Sequence, residues 1–141
     1  MSTQQIAPLP VCKAILLCKQ VVKDDSGSLS LIGLVGNFYV DQTLTAPPTE
    51  LFCQITDANG RYRLVVEIHD LETSEVIGRS EPTDIEVTDP LMSLDVLMSI
   101  SGLQFQNTGL HDIVVFANGE EIDRRQFSVA IVEDKIHVGA N

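Results

Sequence analysis

Apolar residues fall on every second position along much of this chain. Met92, Leu94, Val96, Met98 and Ile100 alternate with Ser93, Asp95, Leu97, Ser99 and Ser101. Tyr62, Leu64, Val66 and Ile68 alternate with Arg61, Arg63, Glu67 and His69, with Val65 as the one apolar intruder. Successive side chains on a strand point to opposite faces, so a period of two predicts half-buried β-strands. Strands are expected over Val11–Val22, Leu29–Tyr39, Leu51–Thr56, Arg61–Asp70, Val76–Gly78, Thr83–Val87 and Leu91–Ile100. Two more follow as a final hairpin. No segment requires a helix.

The breaks between these runs are turn chemistry. Asp24 to Ser28, and Asp57-Ala58-Asn59-Gly60, pair side chains that bond to nearby backbone with a glycine that accepts positive φ. Pro47-Pro48 keeps Thr43–Glu50 out of any sheet. Gly33 and Gly36 interrupt the second strand, as glycines do at bulges or close backbone approaches. Ser101–Thr108 reads as a crossing segment anchored by Leu103 and Phe105. Asn118-Gly119 is the preferred type I′ pair. It sets Val115 opposite Ile122 and Ile113 opposite Arg124. The apolar set then resumes at Phe127, Val129 and Ile131 on the other parity. One extra residue must be absorbed, and a β-bulge is expected between Asp123 and Gln126. Eight or nine such strands predict an all-β, two-sheet sandwich without substantial helix. Residues 1–10 are expected to be a flexible leader, 11–132 the sandwich domain and 133–141 a tail.

With 141 residues, 44% of them hydrophobic, the chain buries enough surface to fold without disulfides or metals. Its net charge is −11. Residues 1–70 contribute −2 and residues 71–141 contribute −9. Such a surface repels phosphate backbones and anionic headgroups, so neither nucleic acid nor membrane is an expected partner. The odd cysteine count, Cys12, Cys18 and Cys53, suits buried free thiols in a reducing compartment. Cys12 and Cys18 are placed on one face of one strand, about 20 Å apart at ~3.3 Å per residue. That is too far for a disulfide. No run suits a secretory signal or a transmembrane helix. A cytoplasmic protein is expected.

Several short motifs, taken in order, resemble an uncharacterised bacterial β-sandwich family. They are Ala14-Ile-Leu-Leu-Cys18, Gly27, Leu31-Ile32-Gly33-Leu34 and Pro47-Pro48. Phe105, Gly109, Asn118-Gly119-Glu120 and Phe127-Ser128-Val129 follow. The resemblance covers roughly residues 12–130 and implies an immunoglobulin-like fold with no assigned activity. It carries over no catalytic or binding residue. At the second position after the late glycine the pattern typically has tyrosine, where this chain has His111.

Chemistry-bearing residues are few. His69, His111 and His137 lack metal-ligand spacing, and His111 is expected as a half-buried strand residue. His69-Asp70 and His111-Asp112 are adjacent pairs whose members point to opposite faces. The cysteines lack a C-x-x-C spacing and could converge only through the fold. There is no G-x-S-x-G elbow and no phosphate loop. No catalytic, cofactor or metal residue is assigned, and the domain is expected not to be an enzyme. A protein-interaction or scaffolding module is expected, with self-association through an edge strand as one form of it. The alternative is a calcium-dependent C2-like module drawing on loop carboxylates from Asp24, Asp25, Asp57, Asp70, Asp89 and Asp112.

Overall fold

The computed structural model describes residues 7–132. Residues 1–6 of the expected leader, and the expected tail at 133–141 with His137, lie outside the described residues. Ten strands and no helix make up the described part: β1 (Val11–Lys23), β2 (Leu29–Val35), β3 (Phe38–Val40), β4 (Thr49–Thr56), β5 (Gly60–Asp70), β6 (Glu75–Arg79), β7 (Thr83–Val87), β8 (Leu94–Ile100), β9 (Gly109–Ala117) and β10 (Glu120–Ile131). They form a four-stranded sheet ordered β2-β1-β4-β8 and a six-stranded sheet containing β3-β10-β9-β5-β6. β7 pairs with the first half of β5 and β6 with its second half. The all-β two-sheet architecture is the one the alternation predicts.

The tenth strand arises because Leu29–Tyr39 is not one strand. The chain leaves the four-stranded sheet after Val35 and re-enters the other at Phe38, where β3 runs parallel to β10. Asn37 fixes the crossing, its Oδ1 accepting hydrogen bonds from the Ser128 backbone N–H and hydroxyl. At the far end, the strand expected from Leu91 begins at Leu94. Asp89 captures the Leu91 N–H through its side chain and the Met92 N–H through its carbonyl. That turn leaves Leu91 and Met92 exposed.

The final hairpin turns through Asn118 and Gly119, both at positive φ (51° and 85°), as a type I′ pair requires. The bulge exists, but it lies earlier than expected. The register passes from Glu121↔Phe116 to Asp123↔Val115, so Ile122 is the extra residue. Val115 therefore faces Asp123, not Ile122. Placing the bulge at Ile122 lets that side chain keep its contact with the core. It also sets Arg124 opposite Val114.

A second bulge, between Cys12 and Ala14, corrects the reading of the first strand. It shifts parity, so Cys12, Ile15 and Leu17 join the core while Cys18 does not. Cys12 and Cys18 thus lie on opposite faces. Cys18 is nonetheless fully buried, aligned between Leu34 of β2 and Glu50 of β4.

The core is the layer between the sheets. Ile15, Leu51, Cys53 and Ile55 from one sheet meet Leu64, Ile113, Val115 and Phe127 from the other. Phe105, from the crossing segment, closes it against Phe38 and Phe127 at centroid distances of 5.5 and 6.1 Å. The 43–48 loop is tied to the same segment, since Ala46 N–H bonds to the Leu103 carbonyl and Phe105 N–H to the Leu44 carbonyl, both at 2.8 Å. Truncating Phe105 removes a fully buried ring touched by three aromatic partners. Phe105→Ala is expected to cost about 3–5 kcal/mol, read as a lowered urea midpoint with an unchanged m-value.

Candidate functional site

The ionisable groups gather on the six-stranded sheet. β5 and β9 run antiparallel with His69 opposite Asp112 and Asp70 opposite His111. The two His-Asp dipeptides therefore exchange partners, each histidine facing the other's aspartate. One couple points inward and the other outward, because neighbours on a strand alternate.

The inward couple is completely buried, not half-buried as expected for His111. The His111 ring stacks on Phe127 at 5.4 Å and meets Phe105 edge-on at 5.2 Å. Its Nδ1 lies 3.0 Å from the Gly109 carbonyl, which fixes Nδ1–H as the donor. Nε2 is 3.9 Å from Asp70 Oδ2, beyond hydrogen-bond range, and has no partner among the described residues. Asp70 is well satisfied. Its Oδ1 accepts from the Glu72 and Thr73 backbone N–H groups and its Oδ2 from Asn107. Burial opposes ionisation of Asp70, but the Asn107 and backbone hydrogen bonds outweigh it, and His111 adds to them. The carboxyl is held below its usual range.

The outward couple belongs to a surface network. Glu67 accepts from His69 at 2.8 Å and from Arg79 at 2.5 Å. Arg124 donates to Asp112 at 2.8 Å and to Glu121 at 2.7 Å. Burial disfavours the charge on Glu67, yet the His69 and Arg79 hydrogen bonds hold its carboxyl below the usual range. Val114 lies in register between Glu67 and Arg124 and is completely covered, although it is on the outward face. The network screens an apolar patch with paired charges. Glu67 and Arg79 also line an open groove of about 560 Å³ with Val65, Pro82 and Phe116.

Of the three cysteines, Cys12 and Cys53 meet through their thiols, while Cys18 stands apart on the other face. The Cys12 contact, together with burial, pushes the Cys53 thiol well above its ordinary range. All three are free. Four of the six aspartates named above are engaged: Asp24 by Ser26 and Ser28, Asp70 by Glu72, Asp89 by Leu91, and Asp112, inside β9, by Arg124. Among the described residues no group of three or more His, Cys, Asp or Glu is placed to hold a metal ion.

The sheet edges differ in how they are protected. β3 is only three residues long, and β6, β7 and β8 carry Arg79, Asp84 with Glu86, and Asp95 respectively. Short length and charge are the usual defences of an edge. β2 has neither. Its seven residues, Leu-Ser-Leu-Ile-Gly-Leu-Val, include no charge and no proline. Ile32 and Leu34 are 48% and 65% exposed. β1 pairs with β4 only over Val11–Cys18 and with β2 over Leu17–Lys23. The distal β1–β2 hairpin is therefore a two-stranded arm beyond β4, and a ribbon of that kind is marginal by itself. A groove of about 510 Å³ runs beside it, lined by Lys19 and Lys23 on the arm and by Glu50, Asp95 and Leu97 on β4 and β8.

Residues 13–130 match a family of unknown function, DUF6941. The chain belongs to that family. No curated protein matches the chain in sequence. Two solved structures resemble it weakly, each with 14% identity and a TM-score of 0.39. One is the Pseudomonas fluorescens alkylpurine DNA glycosylase AlkC bound to DNA containing an abasic site analog; 59% of this chain and 25% of that one are covered. The other is a Listeria innocua beta-glucosidase in complex with isofagomine, with 84% and 17% covered. This chain spans a quarter or less of the length of either. No helix is long and apolar enough to cross a membrane among the described residues.

The lowered Asp70 carboxyl fixes the sign of an acid dependence. A group whose native pKa lies below its unfolded value of about 3.9 stabilises the fold fully above that pH. The contribution is lost as pH falls through the native value. In Asp70→Asn an amide donor is turned toward Asn107 or toward the backbone N–H groups. The variant is expected to lose about 1–3 kcal/mol at pH 7 and to show a shallower fall in urea midpoint between pH 5 and pH 2.

Proposed function

We propose that this domain is a non-catalytic protein-interaction module with an immunoglobulin-like use of its sandwich, presenting a sheet edge to another protein. The single observation that carries the reading is the undefended β2 edge: seven uncharged residues with large apolar side chains in solvent. An unpaired row of backbone donors and acceptors is a template for an added strand. The absence of catalysis is supported by how the ionisable groups are used. Asp70 and His111 are sealed in the core, Glu67 is paired with Arg79, and Asp112 with Arg124. A reducing, cytoplasmic setting is supported by the three free buried thiols.

The test is affinity capture from the native cell with the intact domain as bait, followed by titration calorimetry with the purified captured protein. A specific protein that recurs across captures and binds in stoichiometric ratio is expected. Recovery of no specific protein overturns the reading.

A further inference from the structure

We infer that the β2 edge takes an extended segment of another protein in which an acidic residue sits between two apolar ones. This deepens the interaction-module reading and rests on it. The backbone argument comes first. Among the described residues β2 is hydrogen-bonded on one side only, to β1. The groups on its open side are matched by another main chain in extended form.

The side chains then set the pattern. Ile32 and Leu34 are two residues apart, so they share one face of the arm, and both are largely in solvent. Residues of an incoming strand placed opposite them are covered only if they too are apolar. Between them lies Gly33, which has no side chain to offer its own neighbour. Its φ is +72°, and a Cβ there would come within 3.0–3.2 Å of the Cβ, Cγ and Cδ of Lys19. The Lys19 stem thus occupies the space of the missing side chain. An incoming residue opposite Gly33 meets a lysine. The positive φ also interrupts the regular edge at this point, which suits a short segment better than a long flat sheet junction.

Charge selects the acid. Residues 11–23 hold Lys13, Lys19 and Lys23, three of the nine cations, and no carboxylate. None of the three has a carboxylate within ion-pair distance among the described residues, whereas Arg61, Arg63, Arg79 and Arg124 all do. On the arm the two aspartates, Asp24 and Asp25, sit at the turn that ends it, so Lys19 is the charge beside Gly33, on a chain of net charge −11. A second copy fits less well. Antiparallel pairing of two β2 strands about Ile32 sets Leu31, not a carboxylate, opposite Gly33. It also brings two strongly acidic chains together.

The experiment uses the synthetic peptide Ac-Gly-Thr-Val-Glu-Val-Thr-Gly-NH2 and its counterpart with Lys in place of Glu. Each is titrated into the full chain while the backbone amides are followed by NMR. The glutamate peptide is expected to shift and protect the amides of Leu29–Val35 and to bind about tenfold more tightly than the lysine peptide. Lys19→Glu is expected to reverse that preference. Ile32→Lys, at an exposed position that leaves the thermal midpoint unchanged, is expected to abolish binding. The proposal is overturned if neither peptide moves the β2 amides, or if the two bind equally. It is also overturned if the chain sediments as a dimer that Ile32→Lys dissolves, since the edge then belongs to a second copy. Should Ile32→Lys still capture the cellular partner, the edge assignment fails while the module reading stands. Failure of capture by the unaltered chain removes both.

Discussion

A single apolar layer held between two sheets governs the rest of this molecule. Its members come from both sheets and from the Phe105 segment that bridges them. Because side chains on a strand alternate, filling that layer dictates which residues face water, and each mismatch in parity must be absorbed by the backbone. Of the three bulges among the described strands, the two at Lys13 and at Ile122 sit where the apolar sequence would otherwise lose its inward set. Each also turns a neighbour outward: Cys18 in one case, Arg124 in the other.

Much of this could be read from residues alone. The strands at 61–70 and in the 94–100 region, the Asn118-Gly119 turn and the need for one bulge before Phe127 are local signals, and local signals survive folding. What escaped is set by partners distant in sequence. Nothing near Gly36-Asn37 announces that the chain changes sheets, because Phe38 and Val40 continue an alternation that suits either one. The Asn37–Ser128 bonds that fix the crossing join residues 91 positions apart. Leu91 and Met92 carry the parity of a strand, yet Asp89 takes their N–H groups for a turn. The histidine–aspartate exchange needs the register of β5 against β9, which neither strand specifies alone. The uncharged run Leu29–Val35 was visible as composition. That it ends a sheet was not.

Charge is distributed by sheet. On the six-stranded side, arginines and carboxylates pair across β5, β6, β9 and β10, and the pairs roof over Val114. Exposed pairs of this kind add little to stability individually. Their evident effect is to keep an outward apolar residue dry. The four-stranded side has lysines without such partners among the described residues, and apolar residues without such a roof. The same chain thus closes one face with its ions and leaves an edge of the other chemically open.

The stacked imidazole of His111 has a consequence for how the domain moves. Neither it nor the carboxylate across from it touches solvent. A proton can reach that ring only when β9 parts from its neighbours or the aromatic packing around it loosens. The rate at which the ring trades its hydrogens with bulk solvent is therefore a clock for the breathing of the sandwich, set at its centre.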